Sequence, residues 1–475
     1  MNCGGDRKKM PDWIIRKARR GDRAALAGIM RAALDGLGFV PDLHTPGEDS
    51  AFMAGLLLSA ETWVAAVSDK PVGFIAVTKG FNVPALYVSP DWQAKGIGTA
   101  LLAAARQGRE ELTLHCFQQN EIARRFYEAH GFEAIAFDDT GQNDEGLPDV
   151  TYRWLAPAPE GVDWSRGAAW QDGRLIPVAE AKIPVTDWGV TRSDITYDVA
   201  SVWEGGFFRL GDHIDRFMAS MRALRIEVEQ GPEDIRRICH DMVARAGLRA
   251  AYVAFVASRG QPLVPGNRDP RQCANHFFAW AVPYVHVVKP EVAEKGASLW
   301  IGKSVRRIPE DSVNPLAKNY HWGDLTQGLF EAKDNGFETV ALLDHAGNVT
   351  EGPGFNVFAV KGDRVVTSDH GVLHGITRRT ALEMAEDSGF AAECRPLPLT
   401  ELMEADEVFL STTGGGVVPV TKVDGRIFSN GVPGPVAMKL RETYHDWRMQ
   451  PRFREEVVYP GERIESDVSR PFLIP

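Results

Sequence analysis

Asn314-Pro315-Leu316-Ala317-Lys318-Asn319-Tyr320-His321-Trp322-Gly323-Asp324 sets one lysine between a basic segment, Ser304 to Ile308, expected to be a strand, and a helix expected near 322–335. A lone lysine is ordinarily solvated, so Lys318 takes its meaning from the segments downstream in the chain. Val349-Thr350-Glu351-Gly352-Pro353-Gly354-Phe355-Asn356-Val357-Phe358 reads as a turn feeding an apolar strand, with a carboxylate at its entrance. Gly371-Val372-Leu373-His374-Gly375-Ile376-Thr377-Arg378 opens a helix, and Ser411-Thr412-Thr413-Gly414-Gly415-Gly416 is a hydroxyl-rich glycine turn. Helix-start amides and such a turn are natural donors to a phosphate. A proton-shuttling lysine, an acid able to keep a ring nitrogen protonated and a phosphate cup are parts that a phosphorylated aromatic aldehyde requires.

The rest of the chain bounds what surrounds this set. Its 475 residues exceed what one core ordinarily organises, so two or three domains are expected. Hydrophobic residues at 44% and charged residues at 25% describe a folded globular protein and argue against a disordered or fibrous class. A formal net charge of -11 disfavours non-specific nucleic-acid binding, which needs clustered cations. Five scattered cysteines, Cys3, Cys116, Cys239, Cys273 and Cys394, show no C-x-x-C spacing, which points to a reducing cytoplasm and to no metal site. The charged start has no apolar segment behind it, and no run nears the ~18 apolar residues of a membrane helix. Residues 1–11 are read as a disordered leader.

Leu155 to Trp164, with two prolines and a glycine, is the clearest seam, and residues 156–164 are read as a linker. Before it, residues 12–155 alternate β-rich runs (Trp13 to Ala18, Thr62 to Ser68, Val72 to Lys79, Ala85 to Val88, Glu111 to Cys116) with helical patterns at 22–36, 97–108 and 119–130. After it, Asp212 to Leu224 and Pro232 to Ala246 show helical periodicity ending at Gly247, and a second strand-rich block starts near 297 with a further helix at 377–389. The expected partition is a small subdomain over 165–290, a large one over 291–450 and a tail over 451–475.

In the N-terminal part, Leu86 to Leu102 runs from a strand through Gln93-Ala94-Lys95-Gly96-Ile97-Gly98-Thr99 into a helix. Gly96 and Gly98 let backbone N–H groups converge on an anion in front of a helix dipole. Further on, Asn120 to Phe132 is helical, with Ile122, Phe126 and Ala129 read as one face and Gly131 as the left-handed stop.

Together these two segments resemble the Gcn5-related N-acetyltransferase (GNAT) superfamily over most of residues 13–155. The resemblance implies that the Gln93 to Thr99 loop, with Gln93, Gly96, Gly98 and Thr99, holds the pyrophosphate of acetyl-CoA, that Val88 pairs with its pantetheine arm, and that Asn120 and Tyr127 belong to the same site. It makes Tyr127 the acid that protonates the leaving thiolate, a task suited to a phenol. Asp91, Glu110 and His115 are loose candidates for a base.

The C-terminal motifs, in their order and together with Trp170-Gln171-Asp172-Gly173-Arg174-Leu175-Ile176-Pro177, resemble the fold type IV enzymes that use pyridoxal 5′-phosphate, from about residue 166 to 450. That resemblance implies Lys318 as the Schiff-base and proton-transfer lysine and Glu351 as the partner of the pyridinium. It assigns Arg216, Ile376, Thr377, Thr412 and Thr413 to the phosphate end, with Leu373 packed on the ring. Within the group, Ser193 to Val199, Lys318-Asn319 and Trp322-Gly323-Asp324 are most similar to the (R)-selective amine transaminases. Tyr197 and Val199 would then shape a small pocket and Trp322 would line the cofactor site.

Four positions depart from the pattern: Pro353 after Glu351, Pro265 where a loop arginine captures the keto acid, Ala254 in place of an acid, and Arg192 in place of a histidine. Arg268 or Arg271 would substitute for the missing arginine.

The expected fold class is thus α/β and α+β multidomain: a GNAT-fold domain, then a two-subdomain fold type IV unit similar to D-amino-acid aminotransferase. The expected function is a bifunctional cytoplasmic homodimer. One activity moves an amino group between an (R)-amine or D-amino acid and a keto acid such as pyruvate; the other is an acetyl-CoA-dependent N-acetyltransferase. The alternative is a branched-chain-type L-amino-acid aminotransferase or an aminodeoxychorismate-lyase-like enzyme behind a non-catalytic CoA-sensing domain. Small-molecule amines, amino acids and keto acids are the expected partners, with no nucleic acid and no membrane.

Overall fold

A computed structural model of the chain describes residues 13–78, 81–109, 111–157 and 161–460. The leader expected over 1–11, Cys3, the candidate base Glu110 and residues 461–475 lie outside them. The chain divides into two compact units, one dominated by residues up to 160 and the other covering Gly161–Tyr459. Among the described residues no helix is long and apolar enough to cross a membrane, and no group of three or more His, Cys, Asp or Glu side chains is placed to hold a metal.

The first unit has a four-stranded antiparallel sheet in chain order, Ile14–Lys17, Ala60–Val67, Lys70–Thr78 and Ala85–Val88, and a three-stranded sheet, Glu111–Phe117, Asp149–Leu155 and Glu133–Asp138. The sheets touch at one point, where Thr113 N donates to Phe81 O and Val83 N donates to Thr113 O. Beyond it Ala85–Val88 and Glu111–Phe117 belong to different sheets and are not paired with each other. Helices Arg23–Asp35 and Pro46–Ser59 bury Leu26, Met53 and Phe74 on one face, while Ile97–Arg106 and Glu121–Ala129 bury Leu101, Ile75 and Tyr152 on the other.

Helix Glu121–Ala129 corrects the expected face. Ile122 is 84% exposed and Ala129 is also exposed, and the packed stripe is Ala123, Phe126 and Tyr127. Helix Pro46–Ser59 was not anticipated, although Thr45 and Glu48 bond reciprocally in a capping box with Pro46 at the first helical position.

The second unit has two lobes. The first carries a seven-stranded antiparallel sheet, ordered Arg454–Glu456, Gly206–Phe208, Ile195–Trp203, Ala251–Pro262, Cys273–Pro283, Ala168–Gln171, Arg174–Pro177, with helices Leu210–Leu224 and Pro232–Ala246 packed on one face. The second carries a nine-stranded mixed sheet whose spine is Thr339–Ala341, Ala297–Ile301, Gly416–Val423, Glu407–Thr412, Phe355–Lys361, Arg364–Thr367 and Ala391–Cys394.

Two expectations are corrected. Ser304 to Ile308 is loop, not strand; the ladder ends at Ile301. The segment beginning at 451 is no free tail, because Arg454–Glu456 pairs with Gly206–Phe208 and the Arg454 guanidinium donates to the carbonyls of Trp203 and Glu204.

Candidate active site

The lobes of the second unit meet around Lys318. Its carbonyl accepts from Thr196 Oγ1 at 2.6 Å and from Tyr197 N, and its N–H donates to Ser220 Oγ. A lysine of the second lobe is thereby pinned to a strand and a helix of the first. Its Nζ stands 4.5 Å from the centre of the Tyr197 ring, which stacks on Tyr320 at 3.9 Å. Burial, and then the neighbouring Arg216 cation, push the Lys318 ammonium down to about 8.

Glu351 sits at the start of the hairpin Glu351–Gly352 to Phe355–Lys361. Its Oε1 accepts from Arg307 Nε and a terminal nitrogen at 3.2 and 3.1 Å, and its Oε2 accepts from Leu373 N at 2.9 Å. Arg307 also donates to Asp324, which accepts from Ile308 N, so a buried guanidinium is held between two carboxylates. Burial raises the Glu351 carboxyl, with Arg307 opposing it.

Arg216 marks the opposite end. It donates twice to Asp198, at 2.7 and 2.8 Å, and once to His374 O. Asp198 has no exposed surface and also takes a hydrogen bond from His213 Nδ1 at 2.8 Å. Helix Ile376–Asp387 begins here with no side chain capping its first amides, which stay available to an anion. A β-carbon on Gly375 would stand 2.5 Å from Asn356 Oδ1, so a larger residue there would have to displace that side chain. Tyr284 donates to Thr413 O at 2.9 Å and Val287 N to Gly414 O, which fix the glycine turn beside it.

A cleft joins these ends. Of the residues singled out from sequence, Tyr197, Arg216, Lys318, Trp322, Glu351, Leu373, Ile376, Thr377, Thr412 and Thr413 line it. Val199 is buried beside Tyr197 and Ala254 in an apolar cluster. Arg268 and Arg271 stand on the turn between Ala251–Pro262 and Cys273–Pro283 and do not line the cleft; Arg271 is held by Asp269. Arg192 lies over Trp188 at 3.4 Å. Sequence reasoning missed Arg307, Asp324, Asp198 and His213. An aspartate as the one charged residue in the fully or nearly buried strand Ile195–Trp203 was a signal for Asp198; no local pattern marks Arg307.

In the first unit Gly96 is left-handed, with φ of 80°, and starts helix Ile97–Arg106 without a side-chain cap. Gly98 answers a different need, since a β-carbon there would stand 3.0 Å from the Phe126 ring. Gln93 Nε2 donates to Val88 O, and Thr99 Oγ1 lies 2.9 Å from His130 Nε2. Asn120 caps its helix through Ala123 N. Tyr127 is 8% exposed and its phenol makes no hydrogen bond among the described residues; burial, then Cys116 and Tyr87, push it upward. His115 is exposed, 3.7 Å from Asp149, and Asp91 is an exposed surface group.

Residues 196–423 match the amino-transferase class IV family, and residues 59–134 match the acetyltransferase (GNAT) domain. A putative branched-chain-amino-acid aminotransferase of Methanocaldococcus jannaschii is 32% identical over 280 residues, covering 58% of this chain and 95% of that protein. The chain belongs to the class IV aminotransferases. It is a transferase with a GNAT domain at its N-terminal side. A D-alanine aminotransferase of Listeria monocytogenes is 25% identical over 286 residues, covering 58% of this class IV chain and 93% of its own length. Among solved structures, a branched-chain amino acid aminotransferase complexed with N-(5′-phosphopyridoxyl)-L-glutamate is 28% identical, with a TM-score of 0.57 over 62% of this chain and 99% of that one. The branched-chain aminotransferase of the thermophilic archaeon Thermoproteus uzoniensis, solved with norvaline, is 25% identical, with a TM-score of 0.57 over 62% of this chain and 100% of that one.

Proposed function

We propose that the second unit transfers an amino group between an (R)-amine or D-amino acid and a keto acid such as pyruvate, with pyridoxal 5′-phosphate as its resident cofactor. The observation that carries this is the convergence, in one cleft, of a buried lysine, a buried carboxylate and an arginine beside uncapped helix amides. When bound, the cofactor supplies an electron sink for the carbon next to the nitrogen. Arg216 and the amides of Ile376 and Thr377 would hold its phosphate, Glu351 its ring nitrogen, and Leu373 and Trp322 its faces.

Lys318 Nζ takes and returns the substrate proton. At about 8, roughly a tenth of its amine is neutral at pH 7, where an unperturbed lysine would be almost wholly charged. Uptake of pyridoxal phosphate by cofactor-free protein, followed by absorbance, is therefore expected to quicken about tenfold per pH unit up to about 8 and then level off. A rate still climbing at pH 10 would contradict the lowered lysine.

The handedness rests on Ser193 to Val199 and on Lys318-Asn319 with Trp322-Gly323-Asp324. A second reading, L-amino-acid transfer of the branched-chain type, is favoured by the similarity to branched-chain aminotransferases. Each enantiomer of a simple amine and of alanine, valine and leucine, assayed with pyruvate and a branched keto acid, separates the two. Turnover confined to the L-series would replace the first reading by the second. Sedimentation at twice the 52.3 kDa chain mass is expected for the proposed homodimer.

For the first unit the proposed activity is acetyl transfer from acetyl-CoA to an amine. The loop around Gln93, Gly96, Gly98 and Thr99 receives the pyrophosphate, Val88 and Asn120 flank the arm, and Tyr127 donates a proton to the departing thiolate. Tyr127→Phe is expected to slow transfer about 10²-fold, with CoA affinity kept. Equal rates for both proteins would leave Tyr127 a packing residue.

A further inference from the structure

Three guanidinium groups line the cleft of the second unit, and two of them are already matched by carboxylates. Arg216 donates twice to Asp198, and Arg307 is held between Glu351 and Asp324. Arg378 is the exception. It is 6% exposed and has no carboxylate partner among the described residues; one terminal N–H donates to Ser368 O at 2.9 Å, and its enclosed Nε meets no acceptor. Its neighbour Arg379, by contrast, pairs with Asp212 and Glu383. The place is also unfavourable for a cation. Arg378 stands in the first turn of helix Ile376–Asp387, at the positive end of its dipole, and that turn carries no acidic residue. A buried, uncompensated charge set against a dipole costs stability unless an anion answers it. A second polar atom is in the same position. Ser411 is 2% exposed, lines the same cleft, and its hydroxyl has no partner among the described residues. It is the cross-strand neighbour of Asn356, and Asn356 Oδ1 and the Arg378 Cβ both border the space over Gly375, the residue that opens the helix.

We propose that Arg378 and the Ser411 hydroxyl complete the phosphate site, with Arg378 supplying the positive charge that Arg216, already neutralised by Asp198, does not. This rests on the reading of the second unit as a pyridoxal-phosphate enzyme. A phosphate monoester near neutral pH carries roughly 1.5 to 2 negative charges. The amides of Ile376 and Thr377 and the Arg216–Asp198 pair bring hydrogen bonds but little net charge, so a free guanidinium is what the anion still requires. A substrate carboxylate fits less well, because it has a single charge and two oxygens for a set of helix amides, a hydroxyl and a guanidinium. Before the cofactor binds, Arg378 destabilises the protein; with the phosphate in place the same residue holds it. The stability of the folded chain thereby depends on the anion.

The test uses the full chain, freed of cofactor by dialysis against hydroxylamine, with inorganic phosphate, pyridoxal phosphate and pyridoxal as probes. R378M exchanges the guanidinium for an apolar side chain. Its Tm without ligand is expected to equal or exceed that of wild type, while its affinity for inorganic phosphate and for pyridoxal phosphate, read by calorimetric titration, falls at least about tenfold. The rise in Tm that phosphate brings should shrink accordingly. Pyridoxal, which lacks the phosphate, should bind both proteins alike. R378K, which keeps the charge and loses the planar fork, should lie between them, and S411A should weaken both phosphate ligands about fivefold. A lower Tm in R378M, with affinity for phosphate and pyridoxal phosphate unchanged, makes Arg378 a packing strut and overturns the proposal. Should R378M not fold, unchanged affinity in R378K and S411A together overturns it. A higher KM for D-alanine or pyruvate with cofactor affinity unchanged assigns Arg378 to a substrate carboxylate and also overturns it. Wild-type protein that binds inorganic phosphate more tightly than R378M, yet takes up neither pyridoxal phosphate nor pyridoxal, supports the anion site and overturns the cofactor reading. Wild-type protein that binds neither inorganic phosphate nor pyridoxal phosphate overturns both.

Discussion

Lys318→Ala protein is expected to lose at least about 10³-fold in aminotransfer, since in the role proposed for it the lysine is both the group that bonds to the cofactor and the proton carrier at the reacting carbon. The loss should fall on turnover rather than on cofactor docking, because the proposed phosphate site, Arg216 and the start of helix Ile376–Asp387, is not touched by the substitution. Two measurements separate these contributions. Steady-state amino transfer gives the loss of rate, and borohydride treatment followed by dialysis tells whether cofactor is covalently attached. Wild-type protein retains the label; the variant binds pyridoxal phosphate and releases it. A variant that kept reducible, covalently bound cofactor would sink the assignment of Lys318.

The largest expected effect on stability belongs to Asp198→Asn. Asp198 is fully enclosed and holds both Arg216 and His213. Burial alone would raise its carboxyl, but Arg216 and His213 more than reverse this and keep it well below the usual carboxylate range. Removing the charge leaves a largely buried guanidinium without its partner, a change that costs about 3 to 5 kcal/mol, equivalent to roughly 10 °C in Tm for a unit of this size. The depressed carboxyl contributes stability fully above its unfolded value near 3.9, and that contribution disappears as pH falls toward the folded value. Urea unfolding followed from about pH 5 downward should therefore show stability falling below about pH 4 more steeply in the wild type than in the variant. Inorganic phosphate should also raise the variant's Tm less, because Arg216 is no longer aimed. A Tm within about 2 °C of wild type would show that the pair contributes nothing net.

Most of the cleft lining around Lys318 was legible in the sequence because its parts are local: a lysine before a helix, a carboxylate at a hairpin, an uncapped helix start and a glycine turn each have a short pattern. What escaped is long-range. Arg307 and Asp324 look like surface charges in one dimension, and only the fold brings them together beside Glu351, 44 positions from Arg307. Ser304 to Ile308 has β-branched and long side chains that suit a strand, yet Arg307 donates to Glu351 and Asp324 instead of facing a ladder. The mistaken face of Glu121–Ala129 arose from counting apolar residues. Ile122 is apolar but turned outward, and the inward stripe runs through Ala123, Phe126 and Tyr127. Arg268 and Arg271 were singled out by position in a loop, which says nothing about where the loop turn lies relative to the cleft.

The edge strand Arg454–Glu456 has a consequence for biosynthesis. Its partner strand, Gly206–Phe208, leaves the ribosome some 250 residues earlier, as the 251-position separation of Trp203 and Arg454 records. At translation rates of about 5–20 residues per second that interval is tens of seconds. For that time the first lobe presents an unpaired strand edge, Phe207 and Phe208 included, to every other nascent chain nearby. Synthesis of Arg454–Glu456, rather than collapse of the lobe itself, closes that edge, so release of the chain before that segment is made leaves the edge unpaired.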